Sequence, residues 1–159
     1  MEHISENEVR EIVLLLLEDE DTDAFLFQRA LRREAPALAL RRVKDGLEAL
    51  AYLQGNDDFC EREKFPFPHI IVLDLKMPRM SGLEFLSWVQ DKPDLSPIPK
   101  IVLSGLSHAE TVAEAYRLGA NTFLVKPVRD WCHLAKMILN ICAGQKCLHT
   151  AFIKQGWTG

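Results

Sequence analysis

The sequence predicts an α/β domain, a parallel five-stranded sheet with helices on both faces. Two observations carry that expectation. Short apolar runs recur along the chain without alternation, as in strands covered on both sides. Helical patterns separate consecutive runs, and such alternation builds parallel sheets through crossover helices. A third observation concerns function: several runs stop abruptly at a charged or hydroxylated residue.

Ile12–Leu17 is the first strand and ends in Glu18 and Asp19. Asp21 to Arg33 follows as a helix whose apolar face is Ala24, Phe25, Leu26, Phe27, Ala30 and Leu31. Glu20, Asp21 and Asp23 read as caps of that helix, because its N-terminal end favours negative charge. Pro36 breaks the chain before a weaker second strand, Leu38–Val43. Asp45-Gly46 signals a turn into a short helix, Leu47 to Leu53. The stretch from Gly55 to Lys64, followed by Phe65-Pro66-Phe67-Pro68, is a surface loop longer than a compact α/β unit needs. It reads as a solvated insertion or a binding element, and the sequence leaves both open.

Ile70–Leu73 is the third strand and ends in Asp74. Ser81 and Glu84 form a capping box for a helix carrying Leu83, Leu86 and Val89. Asp91 to Pro99 holds three prolines and is a connector. Ile101–Leu103 is the fourth strand, ending in Ser104. Ser107 and Glu110 suggest a second capping box, for a helix that stops near Gly119. Thr122–Val125 is the fifth strand, followed directly by Lys126-Pro127, and a last helix runs from about Val128 to Cys142. Trp88 and Trp131 are expected to pack in the domain, and His108 to be a solvated loop residue.

Composition excludes several classes. Apolar residues make up 48% of the 159, enough for a real core in one domain. The net charge of −4, with no Lys/Arg block, disfavours direct nucleic-acid binding. The polar, acidic Met1–Arg10 is not a signal peptide, and Ile12–Leu17 is far too short to span a bilayer. A cytoplasmic protein without membrane attachment is expected. Cys60, Cys132, Cys142 and Cys147 form no C-x-x-C pair and are expected to be reduced and mostly packed.

In open parallel sheets the chemistry sits beyond the carboxyl ends of the strands. The residues there are Glu18, Asp19, Asp74, Ser104 and Lys126. Clustered carboxylates repel one another unless a cation shares the site, and all-oxygen ligands favour a hard ion, Mg²⁺ above all. A carboxylate can act as a nucleophile and form an aspartyl phosphate. Lys126 is a compact charge suited to a phosphate oxygen, and Ser104 adds a hydroxyl. Phosphoryl transfer is mostly positioning and charge neutralisation, which this set supplies.

Four segments sharpen this: Leu15–Asp19, Val72–Gly82, Ile101–Gly105 and Phe123–Pro127. In this order and spacing they resemble the response-regulator receiver domain of two-component signalling, from about Val9 to Ala143. The resemblance implies a doubly wound, flavodoxin-like sheet of order 2-1-3-4-5. It implies that Asp74 is the phosphoacceptor, that Asp19 ligates the metal directly, and that Glu18 lies in its outer sphere. Lys76 would offer its backbone carbonyl to the Mg²⁺, although its cationic side chain departs from the Asn often found there. Ser104 corresponds to the switch hydroxyl, Phe123 to the switch aromatic, and Lys126 to the lysine before a cis proline.

The implied organisation is a polar segment 1–8, a receiver domain 9–143 and a tail 144–159 too short for an output domain. The message would then travel by protein–protein contact. Leu148, Ala151, Phe152 and Trp157 in the tail suit an amphipathic turn that packs on the domain or pairs with a partner. The long loop and the Asp45–Leu53 segment resemble single-domain regulators that partner bacteriophytochrome histidine kinases. The partners implied are a sensor histidine kinase and an unknown downstream protein, with monomer and homodimer both compatible. Other classes fit less well. A phosphohydrolase with an aspartyl nucleophile wants a second acid at position 76, where Lys76 stands. A phosphorylation-independent binding module has no need of the full acid and lysine set. No Gly-rich turn follows Leu17, which excludes a dinucleotide-binding domain.

Overall fold

The computed structural model describes residues 11–144. Its strands are β1 (Ile12–Leu17), β2 (Leu38–Val43), β3 (Ile70–Leu73), β4 (Lys100–Ser104) and β5 (Thr122–Val125). Its helices are α1 (Asp21–Glu34), α2 (Gly46–Gln54), α3 (Gly82–Gln90), α4 (Ala109–Arg117) and α5 (Trp131–Gly144). The predicted segment 1–8, Cys147 and the tail residues Leu148, Ala151, Phe152 and Trp157 lie outside the described residues.

The strands form one parallel sheet of order β2-β1-β3-β4-β5, as the resemblance implied. The apolar runs are continuous because the inner strands are covered twice. Leu15 and Leu17 of β1 enter a core with Phe85, Leu86 and Val89 of α3, whereas Leu14 and Leu16 enter the opposite core with Phe27 of α1 and Ile138 of α5. Phe27 meets Trp131 at a ring separation of 6.0 Å, joining α1 to α5. β2 and β5 are the edges and are only partly buried.

Local chemistry sets the element ends. Ser81 and Glu84 make the predicted capping box, with the Ser81 hydroxyl accepting from Glu84 N–H and the Glu84 carboxylate accepting from Ser81 N–H. Asp45 caps α2 by accepting from Glu48 N–H. Gly55 ends α2 at φ +67, a conformation glycine adopts without steric cost. Lys100 opens β4 while only 2% exposed, and its ammonium donates to the Ser96 and Ile98 carbonyls at 2.9 and 2.6 Å.

Several expectations need correction. The second capping box does not form: α4 starts at Ala109, so His108 is the N-cap, without a side-chain bond, and Ser107 lies one residue too early. α5 begins at Trp131 rather than near Val128. Its first turn is held by Asp130, whose carboxylate accepts from His133 N–H. Phe25 is 61% exposed instead of belonging to the buried face of α1. Cys60 is exposed and free, whereas Cys132 and Cys142 are partly buried.

The loop after α2 is exposed at Asn56–Asp58, Cys60, Glu61, Glu63 and Lys64, yet its aromatic residues anchor it to the domain. Phe59, Phe65 and Tyr52 stack in a tilted and edge-on cluster. Arg62 bolts this cluster to α2, donating to the Tyr52, Leu53 and Phe65 carbonyls while its guanidinium lies 5.6 Å from the Phe67 ring centre.

Candidate functional site

Glu18, Asp74 and Lys126 each stand one position past a strand, yet the sheet still holds their backbones. Glu18 N–H donates to the Val43 carbonyl, Asp74 N–H to that of Leu17, and Lys126 N–H to that of Ser104, all at 3.0 Å. The strand order puts β1 beside β3. Carboxylate oxygens of Glu18, Asp19 and Asp74 consequently lie within 4.8 Å of one another. Glu18 is buried, Asp74 is 9% exposed and Asp19 faces solvent.

Lys126 reaches in from β5. Its Nζ donates to Glu18 Oε2 at 2.6 Å and Asp74 Oδ2 at 3.0 Å, and pairs with Asp23 Oδ2 at 2.9 Å. The Lys126–Pro127 bond is cis, as the resemblance implied. Burial disfavours the Lys126 charge, but hydrogen bonds to Glu18, Asp23 and Asp74 outweigh it and raise the ammonium above the ordinary lysine range. Burial pushes the Glu18 carboxyl up, against the hydrogen bond from Lys126 that pulls it down. Three carboxylates, Glu18, Asp23 and Asp74, thus pair with one ammonium, and Asp19 adds a fourth carboxylate beside Glu18 and Asp74. The excess negative charge and oxygen-only donors fit a hard divalent cation.

The remaining predicted residues are distributed around this centre. Lys76 N–H donates to Asp74 Oδ1 at 3.2 Å, and its side chain faces solvent. Ser104 is fully buried at the end of β4, and its hydroxyl oxygen accepts from Leu106 N–H at 3.2 Å. Among the described residues no hydrogen bond joins Ser104 to Asp74. Phe123 is partly buried against the core, and its N–H donates to the Tyr116 hydroxyl. Gly82 lets α3 close over the site: a Cβ there would collide with the Asp74 carbonyl oxygen and lie 2.7 Å from Leu75 Cα.

Two residues escaped sequence reasoning. Asp23, read as a helix cap, also contacts Lys126, and no local pattern in α1 marks it for that contact. Arg42 of β2 donates through Nε to the Glu18 carbonyl at 2.9 Å and pairs with Asp21 at 2.8 Å, steadying the strand end that carries the acids. Nothing in the β2 sequence marks it.

The response regulator receiver domain pattern matches residues 14–138. The chain is similar to the response regulator Rcp1 of Synechocystis sp., at 36% identity over 129 residues, covering 81% of this chain and 85% of that one. It superposes on the crystal structure of the phosphorylated cyanobacterial phytochrome response regulator RcpA with a TM-score of 0.72 at 29% identity, covering 83% of this chain and 91% of that one. The Mn²⁺-bound form of Rcp1 aligns with a TM-score of 0.70 at 35% identity, over 82% of this chain and 91% of that one.

Proposed function

The chain belongs to the response-regulator receiver family and is a two-component signalling protein, and from that premise we propose that it accepts a phosphoryl group on Asp74 from a histidine kinase in an Mg²⁺-dependent reaction. A carboxylate oxygen of Asp74 attacks the phosphorus of a phosphohistidine. The new O–P bond forms as the N–P bond breaks, and the imidazole nitrogen leaves with the electron pair.

The observation that carries this reading is the Lys126 ammonium hydrogen-bonded to both Asp74 and Glu18. It puts a cation beside the attacking carboxylate, where phosphoryl oxygens arrive. Asp19, Asp74 and the Lys76 carbonyl would hold the metal directly, and Glu18 would lie in its outer sphere. When bound, Mg²⁺ supplies charge neutralisation for the transferring group. The Lys76 N–H fixes Asp74 Oδ1. On phosphorylation Ser104 exchanges its Leu106 contact for a phosphoryl oxygen, and Phe123 turns inward in a shift of a pre-existing equilibrium.

The residue range 9–143 is the working unit. Its chemistry is confined to gaining and losing its own phosphoryl group. Likeness to Rcp1 and to the phytochrome response regulator RcpA supports a phytochrome-type kinase as donor. A downstream protein reads the face built from α4, β5 and α5, where Tyr116 and Val125 are exposed. No helix among the described residues is long and apolar enough to cross a membrane.

Incubation with acetyl phosphate and Mg²⁺, followed by intact-mass measurement, tests the assignment. The wild type is expected to gain one phosphoryl mass and Asp74→Asn none. Equal labelling of the two, or none in the wild type, refutes it.

A further inference from the structure

We propose that the Asp45–Arg79 ion pair positions the loop between β3 and α3 and thereby sets the divalent-cation affinity of the site. The proposal rests on the metal reading above. Arg79 lies five residues after Asp74 and has φ +63, in the left-handed region that disfavours residues with a Cβ. Its side chain is 60% exposed, but its guanidinium turns back onto Asp45. Arg79 Nε donates to Asp45 Oδ2 at 2.7 Å, and a second nitrogen lies 2.5 Å from the same oxygen.

Asp45 is shared between two elements. Its side chain is 4% exposed. One oxygen caps α2 at Glu48 N–H, 2.9 Å away, and the other takes Arg79. The neighbouring residues repeat the link, since Gly46 N–H donates to the Met80 carbonyl at 3.3 Å. A Cβ on Gly46 would approach Met80 Cγ to 2.8 Å, so α2 and the loop are in close contact. The far end of the loop is therefore clamped by the first turn of α2. The near end is clamped by the Lys76 N–H bond to Asp74 Oδ1. Between these clamps lies the Lys76 carbonyl, the ligand that a backbone shift would misplace. Mg²⁺ demands near-ideal octahedral geometry, so a fixed loop favours it.

Calorimetric titration of the metal-free protein with Mg²⁺ tests the pair. The set comprises the wild type, Asp45→Asn, Arg79→Met, the double variant and Gly55→Ala. Asn retains the capping oxygen but not the charge. Gly55→Ala strains the other end of α2 at φ +67, so it controls for simple loss of helix stability. Each single variant is expected to bind Mg²⁺ about tenfold more weakly, the usual scale for residues that orient ligands. The double variant is expected to be no weaker than either single one, because the two act as one unit, and Gly55→Ala is expected to match the wild type. Wild-type affinity in either single variant, additive losses, or an equal loss in Gly55→Ala overturns the proposal. Failure of the site reading shows separately, as a wild type that takes up no Mg²⁺, and removes the pair's role with it.

Discussion

Lys100 offers a test of how this fold tolerates a buried cation. The residue is 2% exposed and has two carbonyl acceptors for its ammonium. Burial lowers its pKa from 10.5 to about 8. The unfolded chain therefore binds more protons between those two values, so stability rises with pH across that window. At 1.36 kcal/mol per pKa unit, the charged lysine costs the fold about 3 kcal/mol below pH 8, and the cost vanishes near pH 10.5. Lys100→Met removes the penalty but strands the Ser96 and Ile98 carbonyls, at about 1–3 kcal/mol each. Near pH 7 the two effects roughly cancel, and by pH 10 the wild type should be the more stable by several kcal/mol. Urea denaturation of both proteins at pH 7, 8, 9 and 10 measures the difference, in which the other alkaline titrations cancel. A difference that stays constant over this range would refute the reasoning.

Four other outcomes follow from the contacts described. In Lys126→Met, Glu18 stays buried beside Asp74 without its cation, a loss of about 3–5 kcal/mol for a broken buried pair; melting curves should show a large drop in EDTA and partial recovery in Mg²⁺. Gly82→Ala forces a methyl against the Asp74–Leu75 backbone and should destabilise by about 1–3 kcal/mol in denaturant titration. Ser81→Ala removes one half of the capping box and should cost about 1 kcal/mol by the same measurement. Arg62→Ala should speed amide exchange across 55–67 while leaving α3 protected, because among the described residues the guanidinium bonds only to that loop and the end of α2.

The strands were legible because burial on both faces leaves no polar position to interrupt a run. Leu14 to Leu17 shows this most clearly. Asp19, Asp74 and Lys126 were legible as a set because a parallel sheet collects its strand ends at one edge. Features that depend on backbone register or side-chain direction were not. The Ser81 and Ser107 boxes look alike in sequence, yet His108 is the last extended residue before α4 and shifts Ser107 out of reach. The loop after α2 looks polar by composition, but Phe59, Phe65 and Phe67 fold inward and Arg62 covers them. Asp23 joins Lys126 only through the rotation of α1 and the reach of a side chain 103 positions later, which no local pattern encodes.

That reach has a consequence for the choice of cation. Neighbouring strands lie about 4.8 Å apart, and β4 separates β3 from β5, so the backbones at Asp74 and Lys126 start roughly 10 Å from one another. Only a long, thin arm can carry positive charge across the end of β4 to Asp74. Histidine is too short to cross that gap, and the broad guanidinium of arginine would crowd the carboxylates it must serve. The pitch of the sheet has in effect selected the amino acid.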